Sequence, residues 1–152
     1  MFNKILFPTD FSDPSERALE YVKELKESGA KEIILLHVID DKEIPVFLGL
    51  DEGDAISGTQ LEKTLGLIEE NAKNGTRAIE ADLKEKGFDV KVRIEKGTAF
   101  REILRVEEEE EVSVIVIGSH GKGPVKEILL GSVSDKVIRK CKKPIMVIKS
   151  KG

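Results

Sequence analysis

The chain has no tryptophan, one cysteine, one tyrosine and six phenylalanines in 152 residues. A single cysteine, Cys141, excludes an intramolecular disulfide scaffold and fits a reducing compartment, where it reads as an inert, partly buried thiol. With only two histidines besides, the composition argues against a transition-metal site built by the protein alone. The aromatics are too scattered to form stacking platforms for nucleic-acid bases. A basic excess is also missing: the net charge is -4, against a dedicated nucleic-acid partner. Long apolar runs are lacking as well. The longest, Ile33 to Ile39, is interrupted by His37 and falls far short of the roughly 20 residues that span a bilayer. Met1-Phe2-Asn3-Lys4-Ile5 runs straight into a strand pattern without a signal-peptide layout. These absences together predict a cytoplasmic protein with no membrane or nucleic-acid partner.

What is present describes a globular chain, 39% hydrophobic and 36% charged, of a length that suits one domain over residues 1–152. Lys4 to Pro8 reads as a buried strand turning at Thr9-Asp10. A helix follows, with Asp13 as N-cap, Pro14 at its first position, Glu16 completing a capping box, and Gly29 at its end. Glu32 to Ile39 is a near-continuous apolar strand of the kind covered on both faces. Residues 40–58 are acidic and without steady period, a long connection that folds over a ligand. Helical spacing resumes from Leu61 to Leu83, with Gly66 and Gly75 as local weak points. Asp89 to Glu95 alternates as a strand nearer the sheet edge, and Phe100, Ile103 and Leu104 mark a helix. The five glutamates Glu107 to Glu111 read as its solvated end rather than a metal or partner site. Val112 to Ile117, a helix carrying Val133, Val137 and Ile138, and the strand Ile145 to Ile148 complete the chain. The alternation of strands and helices predicts an α/β domain with a parallel sheet and helices on both faces.

Open parallel sheets bind ligands beyond the carboxyl ends of their strands, where strand order reverses. That rule nominates Pro8-Thr9-Asp10, His37-Val38-Ile39 and the segment from Gly118 onward. The last is the richest. Gly118-Ser119-His120-Gly121 leaves a strand, nine residues intervene, and Gly131-Ser132-Val133-Ser134 opens a helix whose unsatisfied first-turn amides suit a phosphate. Lys122 and Lys126 add positive charge. A flexible loop followed by a serine N-cap is the structural alternative. The segment carries no Walker A sequence, and no G-x-G-x-x-G follows the first strand. Asp10 can accept a hydrogen bond from an adenine amino group or serve the turn and helix start. His37, on an apolar strand, reads as a satisfied structural residue, and His120 as a hydrogen-bond donor rather than an acid-base catalyst.

The G-x2-G-x9-G-[ST] spacing resembles the universal stress protein family. So do Ile5-Leu6-Phe7-Pro8-Thr9-Asp10, Leu35-Leu36-His37-Val38 and the closing Lys143-Pro144-Ile145-Met146-Val147-Ile148. The stretch Lys126-Glu127-Ile128-Leu129-Leu130-Gly131-Ser132-Val133 is similar to its ATP-binding branch. One departure is Thr98-Ala99 after Gly97, where many members carry proline.

The resemblance implies a Rossmann-like fold of the adenine nucleotide alpha hydrolase type, with strand order 3-2-1-4-5. It also implies ATP or AMP as ligand, with Mg²⁺ or Mn²⁺ held mainly by the phosphates. Asp10 and Val38 would then contact adenine, with Pro8, Thr9 and Gly118 near the ribose and base. Gly121, Gly131, Ser132, Val133 and Ser134 would hold phosphates, and Ile117 and His120 complete the set. The last strand, apolar and at a sheet edge in this topology, implies a homodimer through Ile145 to Ile148. A nucleotide-dependent regulator acting on another protein is the expected function. The alternative is a slow Mg²⁺-dependent ATPase or transferase, for which no catalytic residue stands out. A phosphoacceptor domain is set aside, because Glu95-Lys96-Gly97 stands where an aspartate would be needed.

Overall fold

The computed structural model describes residues 2–41, 57–119 and 132–149. Among the described residues, five strands, β1 (Lys4–Pro8), β2 (Glu32–Asp40), β3 (Asp89–Gly97), β4 (Val114–Gly118) and β5 (Ile145–Ile148), alternate with four α-helices. These are α1 (Asp13–Glu24), α2 (Gly58–Glu85), α3 (Ala99–Glu109) and α4 (Ser132–Lys140). Every strand pairing is parallel, in the order β3-β2-β1-β4-β5. Strand order therefore reverses between β1 and β4, as the family resemblance implied.

Alternation along the buried strands divides the core between two faces. Ile5, Phe7, Ile33, Leu35, Val114 and Val116 meet Ala18, Leu19 and Val22 of α1 and Leu83 of α2. Leu6, Ile34, Leu36, Ile115 and Ile117 point the other way, against Ile103 and Val106 of α3 and Val137 of α4. Such a two-sided core explains why β1, β2 and β4 read as apolar runs and not as alternating patterns.

Local chemistry shifts two expectations. The N-cap of α1 is Ser12, with Asp13 and Pro14 opening the helix. The shift arises because the carboxylate of Asp10 accepts the Ser12 amide at 3.0 Å and closes the turn one residue earlier. The glutamate run is not uniformly solvated either. Glu107 is buried, and its carboxylate accepts the backbone amides of Lys142 and Lys143 at 3.1 Å each, fixing the turn between α4 and β5. Helical spacing explains the difference, since Val106 and Glu107 fall on the buried face and Glu108 does not.

Glu109 and Glu110 join a network that ties α3 to edge strand β3. Arg93 donates to Glu95, Glu109 and Glu110 at 3.0–3.2 Å. Arg105 reaches Glu95, Glu102 and Glu109 at 2.6–2.8 Å. Lys91 beside Glu110 holds its carboxyl below the ordinary range despite burial, and Arg105 and Arg93 do the same for Glu95. Charges along this strand also discourage edge-to-edge association.

Candidate functional site

The carboxyl ends of β1, β2 and β4 lie at one end of the sheet, which is also the end where α1, α3 and α4 begin. Pro8 closes β1 opposite Leu36, and the Thr9 amide extends the ladder to the Leu36 carbonyl at 2.8 Å. β2 continues past that pairing, so Val38 stands beyond the end of β1, in register with Glu95 of β3.

His37 is buried, and its Nδ1 lies 2.8 Å from the Thr9 carbonyl. A carbonyl only accepts, so Nδ1 carries the proton. The imidazole therefore ties β2 to the turn after β1, as a satisfied structural residue. The turn itself is strained: Phe11 has φ +64°, a conformation costing about 1–2 kcal/mol for a residue with a Cβ. Two contacts offset that cost. The Phe11 amide donates to Thr9 Oγ1 at 3.1 Å, and its ring stacks on His37 with centroids 4.5 Å apart.

Asp10 serves this turn. Its Oδ1 accepts from the Ser12 amide, the Ser12 hydroxyl and, at 2.8 Å, the Ser15 hydroxyl. Ser15 in turn lies against Gly118. A Cβ on Gly118 would stand 2.7 Å from the Pro14 carbonyl group and 2.9 Å from the Ser15 nitrogen. Glycine at the end of β4 therefore lets the first turn of α1 sit directly on the strand, a packing role that the ligand-centred reading of the loop did not foresee. The contacts place Thr9, Asp10 and Gly118 in one chain of neighbours, with Ser15 between Asp10 and Gly118 and His37 against Thr9.

On the opposite face, Ile117 belongs to the same apolar cluster that Val38 and Val133 pack against. Val133 lies in the first turn of α4, flanked by the exposed Ser132 and the buried Ser134. His120, Gly121 and Gly131 lie outside the described residues, as do Lys122, Lys126 and residues 42–56 of the acidic connection.

Two features escaped sequence reasoning. Ser119 is fully buried at the exit of β4, and its hydroxyl has no hydrogen-bond partner among the described residues. An orphaned buried hydroxyl is costly, and here it sits where a strand runs out toward a helix N-terminus. Asp40, at the end of β2, accepts the amide of Ala99, the first residue of α3, at 3.2 Å. Asp10 and Asp40 thus each place a carboxylate at a helix start, α1 and α3 respectively, where the macrodipole favours negative charge. Only the burial of Ser119 and the register of Asp40 reveal these roles, and neither is encoded in local spacing.

Among the described residues, three cations gather around Phe100 between α3 and α4. Lys136 and Lys140 stand 4.8 and 5.3 Å from the centre of the Phe100 ring, and the Arg101 guanidinium 5.6 Å. Burial, reinforced by Glu107, pushes the Cys141 thiol up and keeps it protonated. Among the described residues, no three His, Cys, Asp or Glu side chains gather as a metal site, and no helix is long and apolar enough to cross a membrane.

Residues 1–149 match the universal stress protein family. Universal stress protein MJ0577 of Methanocaldococcus jannaschii is 45% identical, over 100% of this chain and 98% of its own. The solved structure of MJ0577 superposes with a TM-score of 0.84, covering 100% of this chain and 99% of that one. The fold is shared, at lower identity, with a universal stress protein in complex with cAMP (21%, TM-score 0.62, 97% of each chain). It is shared equally with the universal stress protein of Archaeoglobus fulgidus in complex with dAMP (20%, TM-score 0.61, 98% of each chain). The chain belongs to the universal stress protein family.

Proposed function

We propose that this chain, acting as one domain over residues 1–152, binds an adenine nucleotide, ATP or AMP, at the sheet's switch point. The bound state then regulates a protein partner in the cytoplasm. The observation that carries the reading is the convergence of the turn after β1, the end of β2, the end of β4 and the start of α4 at one end of the sheet. Topology makes that end the ligand end of an open parallel sheet. Two relatives by fold have been solved with adenine nucleotides, cAMP and dAMP, in keeping with this assignment.

In this reading Asp10 and Val38 face the base, with Pro8, Thr9, Ile117 and Gly118 around the base and ribose. The backbone of Gly121, Gly131, Ser132, Val133 and Ser134 takes the phosphates, with His120 donating. A helix N-terminus stabilises phosphate through oriented amides and the macrodipole. The cations around Phe100 strengthen the local field, and the Ser119 hydroxyl supplies a buried donor at the exit of β4. A Mg²⁺ or Mn²⁺ ion in this reading is held chiefly by phosphate oxygens. Pairing of β5 edges completes a homodimer.

The test begins with purified protein, denatured and cleared, and chromatography of whatever it releases. Adenine nucleotide in the supernatant is the expected result. Gly131→Val, which places a bulky Cβ where the phosphates are assigned, should abolish nucleotide retention while preserving the circular dichroism spectrum. Retention equal to wild type would remove the loop from the site.

A further inference from the structure

Beyond the groups assigned to the ligand, something must hold the turn after β1 in place, and Phe11 is built to do so. We infer that Phe11 is a positioning residue for the base half of the site, seated between His37 and a notch at Gly75 of α2, so that the seat sets affinity for the nucleoside and leaves phosphate binding untouched. The inference rests on the adenine-nucleotide reading above.

Three independent contacts define the seat. The backbone of Phe11 is left-handed, at φ +64°, and is tied to Thr9 Oγ1. The ring lies on the buried His37 imidazole, 4.5 Å between centroids and 24° between planes. His37 in turn holds the Thr9 carbonyl at 2.8 Å. Thr9, His37 and Phe11 therefore close a ring of contacts around Asp10.

The third contact comes from α2. A Cβ at Gly75 would stand 2.6 and 2.7 Å from Cε1 and Cζ of Phe11, so any other residue drives the ring out. A mid-helix glycine costs helix stability, and here its missing side chain is the room the ring occupies. The ring also has somewhere to go. An open cleft of about 470 Å³ adjoins it between α1 and α2, lined by Leu19, Ala78 and Ile79 among others. Displacement would thus move the turn and Asp10 without breaking α2, which alanine favours over glycine. The phosphate half, built on α4, belongs to a separate element.

The experiment is calorimetric titration of the full chain with AMP and, separately, with inorganic tripolyphosphate. It compares wild type, Gly75→Ala, Phe11→Leu and the double variant. Each single variant should bind AMP about tenfold more weakly, a loss of about 1.4 kcal/mol, with tripolyphosphate affinity unchanged. The double variant should lose no more than either single one, because both act through the same ring. If Gly75→Ala does not fold, Phe11→Leu carries the test alone. Unchanged AMP affinity in the variants overturns the inference, and so does an equal loss for both ligands. Wild-type protein that fails to bind AMP overturns the nucleotide reading, and the inference with it.

Discussion

Gly118 and Glu107 each join segments far apart in the chain. The first turn of α1 leaves no room for a Cβ on Gly118, and the obstructing atoms are backbone, which cannot swing away. Gly118→Ala should therefore destabilise the fold by about 1–3 kcal/mol, the usual cost of overpacking. Urea denaturation would show it as a lower midpoint at unchanged slope. Glu107 accepts two amides at the start of the α4–β5 turn. Glu107→Ala leaves those donors unmet and should cost about 1–3 kcal/mol, whereas Glu108→Ala, on the exposed face, should change the urea midpoint little. In sequence the two residues were legible only as types. A glycine before the loop read as a ligand contact, and a glutamate in a run of glutamates as surface. Their partners, Pro14 and Lys142–Lys143, are set by packing that local spacing does not carry. Asp10 was legible in both its possible roles, and its observed hydrogen bonds are those of the turn and helix start.

The ion network between β3 and α3 makes acid stability a property of these elements. Glu95 and Glu110 are both held below the ordinary carboxylate range by neighbouring cations. A carboxylate depressed in the folded state contributes its full stabilisation above the unfolded value, about 4.3 for glutamate, and loses it as pH falls toward the folded value. Glu110→Gln should cost about 1–3 kcal/mol at neutral pH, the scale of hydrogen bonds to charged groups. The deficit against wild type should shrink as pH drops below about 4. Urea titrations at stepped pH would check it; a deficit constant down to low pH would contradict the assignment. At this scale the sequence was most informative. Periodicity and capping residues located the five strands and four helices of the described residues, because each buries a face whose period appears in the residues themselves. The boundary of α1 moved by one residue, since the Asp10–Ser12 hydrogen bond outweighed the local preference for Asp13 as cap.

For the whole molecule, two helix layers cover the two faces of a sheet whose order reverses between β1 and β4, and the proposed function sets base and phosphates on either side of that reversal. Alternation of elements alone indicated a parallel sheet; the order came through family resemblance, since spacing does not specify which strands are neighbours. β5 closes the sheet with four half-buried apolar residues and one unpaired edge among the described residues. Sedimentation at micromolar concentration should therefore give twice the chain mass, and a monomer there would rule out the edge-to-edge dimer. The most direct test of the account is a calorimetric titration of nucleotide-free protein with ATP in the presence of Mg²⁺. Saturable binding near one nucleotide per chain is the predicted result. Absence of saturable heat up to about 1 mM ligand, where even weak specific binding registers, would contradict it.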